Sequence, residues 1–93
     1  MSKLFELEPV FVERVPDLLE YGKLYVSKTY ETAIHLCACG SCGQQTVTPF
    51  SSRSNGWLYS EHDGLVSLHP SIGNFQMPCK SHYWIKENKI VWC

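Results

Sequence analysis

Apolar and polar residues alternate along this chain in short runs, and only one stretch breaks the alternation in a helical sense. Residues 22–27 (Gly22-Lys23-Leu24-Tyr25-Val26-Ser27) read as a strand, and residues 32–37 as another. In the second, Thr32, Ile34 and Leu36 share one face while Ala33, His35 and Cys37 share the other. Residues 45–50 form a third candidate strand, and residues 9–15 look extended. Residues 57–60 and 65–68 flank Glu61-His62-Asp63-Gly64, whose Asp-Gly pair is a strong hairpin signal. Residues 82–86 and 89–92 flank Glu87-Asn88, a second tight reversal. Pro16-Asp17-Leu18-Leu19-Glu20-Tyr21-Gly22 predicts one helical turn, with proline at its start, acidic residues early and glycine to stop it. Residues 51–55 read as a polar loop. Residues 70–78 hold too many breakers for regular structure, and Gly73 and Asn74 suit positive φ. The sum is a mainly β chain: a small barrel or sandwich of short antiparallel strands with one helical turn.

A length of 93 residues, 44% of them hydrophobic, allows one domain over residues 1–93. Its core must be thin, and thin domains often need a staple. Eight basic residues against nine acidic ones give a net charge of −1, which makes nucleic acid an unlikely partner. Only 18% of residues are charged and 13% are aromatic, which excludes a disordered chain. No apolar run approaches the roughly 18 residues of a membrane span, and the first residues lack the apolar stretch of a secretory signal. The cytoplasm is the expected location. Five cysteines there read as a site and not as disulfides, since thiols stay reduced and an odd number cannot all pair within the chain.

Cys37, Cys39 and Cys42 form C-x-C-x-x-C, and Cys79 and His82 follow as C-x-x-H. Two close pairs of sulfur or imidazole ligands from remote segments suit a tetrahedral ion, Zn²⁺ before all others. Gly40 and Gly43 let the backbone wrap the ion with amides toward the sulfurs. The five candidate ligands Cys37, Cys39, Cys42, Cys79 and His82 exceed four places. Cys39, Cys42, Cys79 and His82 make the tidiest set; Cys37 is the rival, replacing Cys39 or His82 or else facing the core, and His35 is a ligand, a supporting donor or an ordinary strand histidine. Cys93 stands apart. A filled shell implies a structural metal, and no H-x-E or H-x-x-E pattern supplies a base beside it. Ser71 lacks the glycines of a nucleophile elbow, so its hydroxyl is expected to serve the backbone of its loop. Trp57, Trp84 and Trp92, with Tyr25, Tyr59 and Tyr83, read mainly as sheet packing.

Several blocks resemble a small bacterial family whose members are described as metal-binding. They are His35-Leu36-Cys37-Ala38-Cys39-Gly40, Val47-Thr48-Pro49, Val66-Ser67-Leu68-His69-Pro70-Ser71-Ile72-Gly73-Asn74, Pro78-Cys79-Lys80-Ser81-His82-Tyr83-Trp84-Ile85 and Val91-Trp92. The resemblance covers about residues 22–92. The family block reads C-x-C-G-C-G, whereas Ser41 is inserted here. Members of that family are encoded beside ubiquitin-like conjugation systems, so the resemblance implies an accessory role there with protein partners. The expected function is thus a structural-zinc interaction or accessory module, in which zinc fixes residues 70–78 and the aromatic strands as a surface for a partner. The alternative is a metal-dependent hydrolase or transferase with a catalytic zinc.

Overall fold

The computed structural model describes residues 3–50, 56–75 and 78–93; the expected polar loop at 51–55 lies outside them. Eight strands follow one another: β1 (Glu8–Phe11), β2 (Lys23–Ser27), β3 (Thr32–Leu36), β4 (Gln45–Pro49), β5 (Leu58–His62), β6 (Leu65–Asn74), β7 (Ser81–Lys86) and β8 (Lys89–Trp92). They form two four-stranded sheets, ordered β1-β2-β3-β4 and β5-β6-β7-β8. The sheets stay separate and share one core, so the arrangement is a sandwich and not a closed barrel. Among the described residues no helix is long and apolar enough to cross a membrane.

The expected helical turn is absent. Residues 16–22 run as bends and a turn. Leu18 is 87% exposed, so this short segment has no packed apolar face to offset the cost of nucleating a helix. Both tight hairpins form where the sequence places them. Asp63 and Gly64 have φ of 52° and 80°, Glu87 and Asn88 of 49° and 69°, the double positive φ of the favoured two-residue turn. One pairing departs from the antiparallel expectation: β1 runs parallel to β2. The residues before β1 explain it. Glu6 pairs with Lys89 beside β8, and Ile90 N–H donates to Phe5 carbonyl at 2.9 Å. The chain then crosses to the other sheet with Leu7 buried between them, and the connection through residues 12–22 returns it in the same direction.

Of the segment expected to be irregular, residues 70–74 are strand, and residues 76–77 lie outside the described residues. β6 continues to Asn74, and its breakers are used inside it. Its register against β7 shifts between Leu68 and Ile72. This bulge turns Pro70 outward, although strict alternation would place it on the buried face of Val66, Leu68 and Ile72.

Where the sheets meet near the cysteines, the inward face is polar. β3 buries Ala33 and His35, and β4 buries Thr46 and Thr48, while Val47 is half exposed. His35 Nε2 lies 2.7 Å from the Tyr83 hydroxyl of the opposite sheet. Ala38 N–H and Asn74 Nδ2 donate to that same oxygen at 3.3 and 3.5 Å. The hydroxyl thus ties both sheets together, sharing one proton with His35 Nε2 in their contact. Burial holds the His35 imidazole down at about 4 and the Tyr83 phenol above its usual range, so both stay neutral. Replacing Tyr83 by Phe strands two buried partners, His35 Nε2 and Ala38 N–H. We expect Tyr83→Phe to cost about 1–3 kcal/mol, read as a fall in melting temperature of roughly 4–8 °C per kcal/mol in a domain of this size. An unchanged melting curve would show that the hydroxyl is dispensable.

Candidate metal centre and its neighbouring serine

Three cysteines come from the loop that leaves β3 and one from the approach to β7. The loop is folded by its glycines: Gly40 and Gly43 have φ of 79° and 70°, a region that costs other residues strain. Gly40 N–H donates to Cys37 carbonyl at 3.1 Å, and Gly43 N–H to the Tyr21 hydroxyl at 2.7 Å. The result brings Cys37, Cys39, Cys42 and Cys79 together with all four sulfurs within 4.8 Å of one another. Cys37 and Cys79, 42 residues apart, have their Sγ atoms at 3.6 Å. A tetrahedral ion with zinc–sulfur bonds of about 2.3 Å has sulfur–sulfur edges of roughly 3.8 Å, so the donor set and spacing fit such an ion.

Donors surround these sulfurs. Cys42 N–H points to Cys39 Sγ at 3.3 Å, Ser81 Oγ to Cys79 Sγ at 3.1 Å and Asn74 Nδ2 to Cys37 Sγ at 3.4 Å. Such contacts orient thiolates toward a metal and temper their charge. Burial pushes the Cys37 thiol up. It drives Cys42 up to about 12, with the sulfurs of Cys39, Cys37 and Cys79 adding to the effect. Burial alone would raise Cys39 as well, but the N–H groups of Ser41 and Cys42 outweigh it and bring Cys39 down to about 6. Cys39 is therefore the most readily ionised of these three, while Cys37 and Cys42 hold their protons more tightly.

The other residues singled out from the sequence lie apart from this group. His35 is wholly buried on Tyr83. His69 sits on the outer face of β6 with its ring 5.3 Å from that of Trp84. Cys93 is exposed, its N–H donating to His82 carbonyl at 3.0 Å. His82 begins the outward face of β7, and its Nε2 lies 2.8 Å from Ser71 Oγ. A cavity of about 520 Å³ runs past Cys39, Cys79 and His82, leaving the imidazole open on that side.

The serine–histidine contact is what sequence reasoning missed. Ser71 and Gly73 share the outward face of β6, and Gly73 pairs with His82. A residue without a side chain opposite the imidazole leaves it free to lean diagonally onto Ser71. The only signal was Ser-x-Gly in one strand and His in another. Using it requires the register across a bulge, which spacing alone does not reveal.

Metal binding here must displace protons from Cys37 and Cys42. We expect zinc titration near pH 7 to release protons, seen in calorimetry as a heat that depends on buffer ionisation, and the affinity to weaken as pH falls. A buffer-independent heat would show that the thiols are ionised beforehand.

Comparison with curated proteins gave no match, and neither did comparison with solved structures. The profile of a protein family described as "Bacterial ubiquitination-like system serine protease (BubE)" matches residues 11–93. That span includes all five cysteines, both strands that carry Ser71 and His82, and all but the first few residues of the fold, so the chain belongs to the BubE family of bacterial ubiquitination-like systems.

Proposed function

We propose that this protein is a serine hydrolase of a ubiquitin-like conjugation pathway. Ser71 is its nucleophile, His82 its general base, and a structural zinc ion on Cys37, Cys39, Cys42 and Cys79 holds the two in place. The observation that carries the reading is the 2.8 Å contact between Ser71 Oγ and His82 Nε2 on the open face of a sheet. A serine hydroxyl is a weak nucleophile until a neighbouring base takes its proton. His82 Nε2 accepts that proton as Oγ adds to the carbonyl carbon of the substrate. The imidazolium then gives it to the departing amine or alcohol as the acyl bond breaks. Water, deprotonated by the same nitrogen, releases the acid from Ser71. The family's description as a serine protease of a ubiquitination-like system supports a peptide, isopeptide or ester bond at the carboxyl end of a ubiquitin-like protein as the substrate class.

A bound zinc ion supplies a crosslink: four thiolates complete its shell and leave no position for a reacting water. Both reacting side chains lie close to this crosslink in sequence. Cys79 precedes His82 by three residues along the segment that enters β7. Asn74, three residues after Ser71 on β6, donates to Cys37 Sγ and to Thr46 Oγ1. The ion thereby steadies the ends of the two strands that carry the base and the nucleophile. The reducing conditions that keep five thiols free suit a cytoplasmic setting.

A fluorophosphonate probe, which phosphonylates activated serines, should add to the zinc-loaded protein once, at Ser71, as read by intact and peptide mass. Ser71→Ala should abolish the adduct, and His82→Gln should slow it about 10²–10⁴-fold. An adduct on another serine, or undiminished labelling of His82→Gln, would sink the assignment. Cys79→Ser should lose both bound zinc and labelling. If it retained full labelling after losing zinc, the supporting role of the metal would be refuted.

A further inference from the structure

Phe75 has no evident structural reason for its position. It follows β6 directly, is 60% exposed, and gains little from burial. Yet its ring folds back over the sheet instead of pointing into water. It covers the space above Gly73, where a Cβ would overlap Phe75 Cε2 and lie 3.0 Å from Cδ2. From there it meets the His82 imidazole edge to face, with centroids 5.2 Å apart and planes at 61°. Gly73 adopts ordinary strand geometry and pairs with His82, so glycine is needed at this position for room and not for conformation. Ser71, the gap at Gly73 and Phe75 thus follow one another along the outward side of β6, with His82 lying against both ends.

We infer that Phe75 is a positioning residue for His82, its ring filling the gap left by Gly73 and confining the imidazole so that Nε2 faces Ser71 Oγ. The inference rests on the serine-hydrolase reading. An imidazole on a strand rotates about two side-chain bonds, and on an open sheet face few neighbours limit it. Ser71 constrains one nitrogen by a hydrogen bond that lapses each time the serine is acylated. Phe75 constrains the ring at all stages without competing for a proton, because it has none to exchange.

The test follows fluorophosphonate labelling of the zinc-loaded protein by mass, for wild type, Phe75→Ala, Phe75→Leu and Gly73→Ala. Phe75→Ala should slow the maximal labelling rate about tenfold to a hundredfold with unchanged probe affinity. Phe75→Leu, which refills the space, should restore most of it. Gly73→Ala keeps the phenyl group but displaces it, and should be slow as well. Zinc content and melting temperature should match wild type, and the His82 ring proton resonances should shift in Phe75→Ala as the aromatic ring current is lost. Wild-type rates in Phe75→Ala, with wild type itself labelled at Ser71, would overturn the positioning role alone. Slow labelling accompanied by lost zinc or a lowered melting temperature would overturn it too, marking Phe75 as a structural residue. Absence of any Ser71 adduct in wild type would overturn both this role and the hydrolase reading.

Discussion

The tie between the two sheets at their cysteine end governs the molecule. Among the described residues, the sandwich encloses a single thin apolar core, with Leu24, Val26, Leu68 and Ile85 among its members. Close packing of so small a core leaves the relative placement of the sheets weakly determined unless something directional joins them. Here Cys37 of one sheet approaches Cys79 of the other at 3.6 Å, and His35 reaches the Tyr83 hydroxyl at 2.7 Å. Both contacts are short, specific and between residues more than forty positions apart. Hydrophobic burial can bring the sheets together, but it cannot select this alignment.

That tie also explains why β3 and β4 turn their more polar side inward. Alternation along 32–37 and 45–50 offers a more apolar face, with Ile34, Leu36 and Val47, and a more polar one, with His35, Cys37, Thr46 and Thr48. The polar one is buried. Buried polar groups are tolerated when each finds a partner, and most do. Thr48 Oγ1 donates to Ala33 carbonyl at 2.7 Å, and Thr46 Oγ1 accepts from Asn74 at 3.2 Å. Period-two patterning identified the strands correctly because it depends on backbone geometry. Which face turns inward depends on partners from the other sheet, and no local pattern holds that information.

The same distinction separates the legible from the illegible parts of the site. The cysteine cluster could be read because its chemistry is local. Three thiols in six residues beside two glycines announce a ligand loop, and a second close pair announces its closure. Five candidates for four places left open whether Cys37 stands in for Cys39 or His82; the four sulfurs lie together, while His82, on the outward face of β7, meets Ser71. Ser71 was harder still. It is separated from His82 by the end of β6 and the connection into β7, and the two meet only because a bulge shifts the register and Gly73 leaves a gap. Proline, glycine and asparagine within 70–74 look like loop punctuation. In the fold each has a strand use: Pro70 at the bulge, Gly73 under an aromatic ring, and Asn74 among buried acceptors.

The proposed division of labour between four sulfurs and a serine has a physical logic. A thiolate shell gives an ion tight tetrahedral binding but transfers much negative charge to it and closes every position, so it suits anchoring and not activation of water. A serine–histidine pair needs no ion. It does need its two atoms held at hydrogen-bond distance through each cycle, and a thin sheet with an open face is a soft support for that. A metal crosslink three residues from His82, tied through Asn74 to the strand of Ser71, would stiffen the segment beside the pair that tolerates least movement. In the proposed reading, the outward side of the sheet that carries Ser71 and His82 can then stay open to a substrate without making the pair loose.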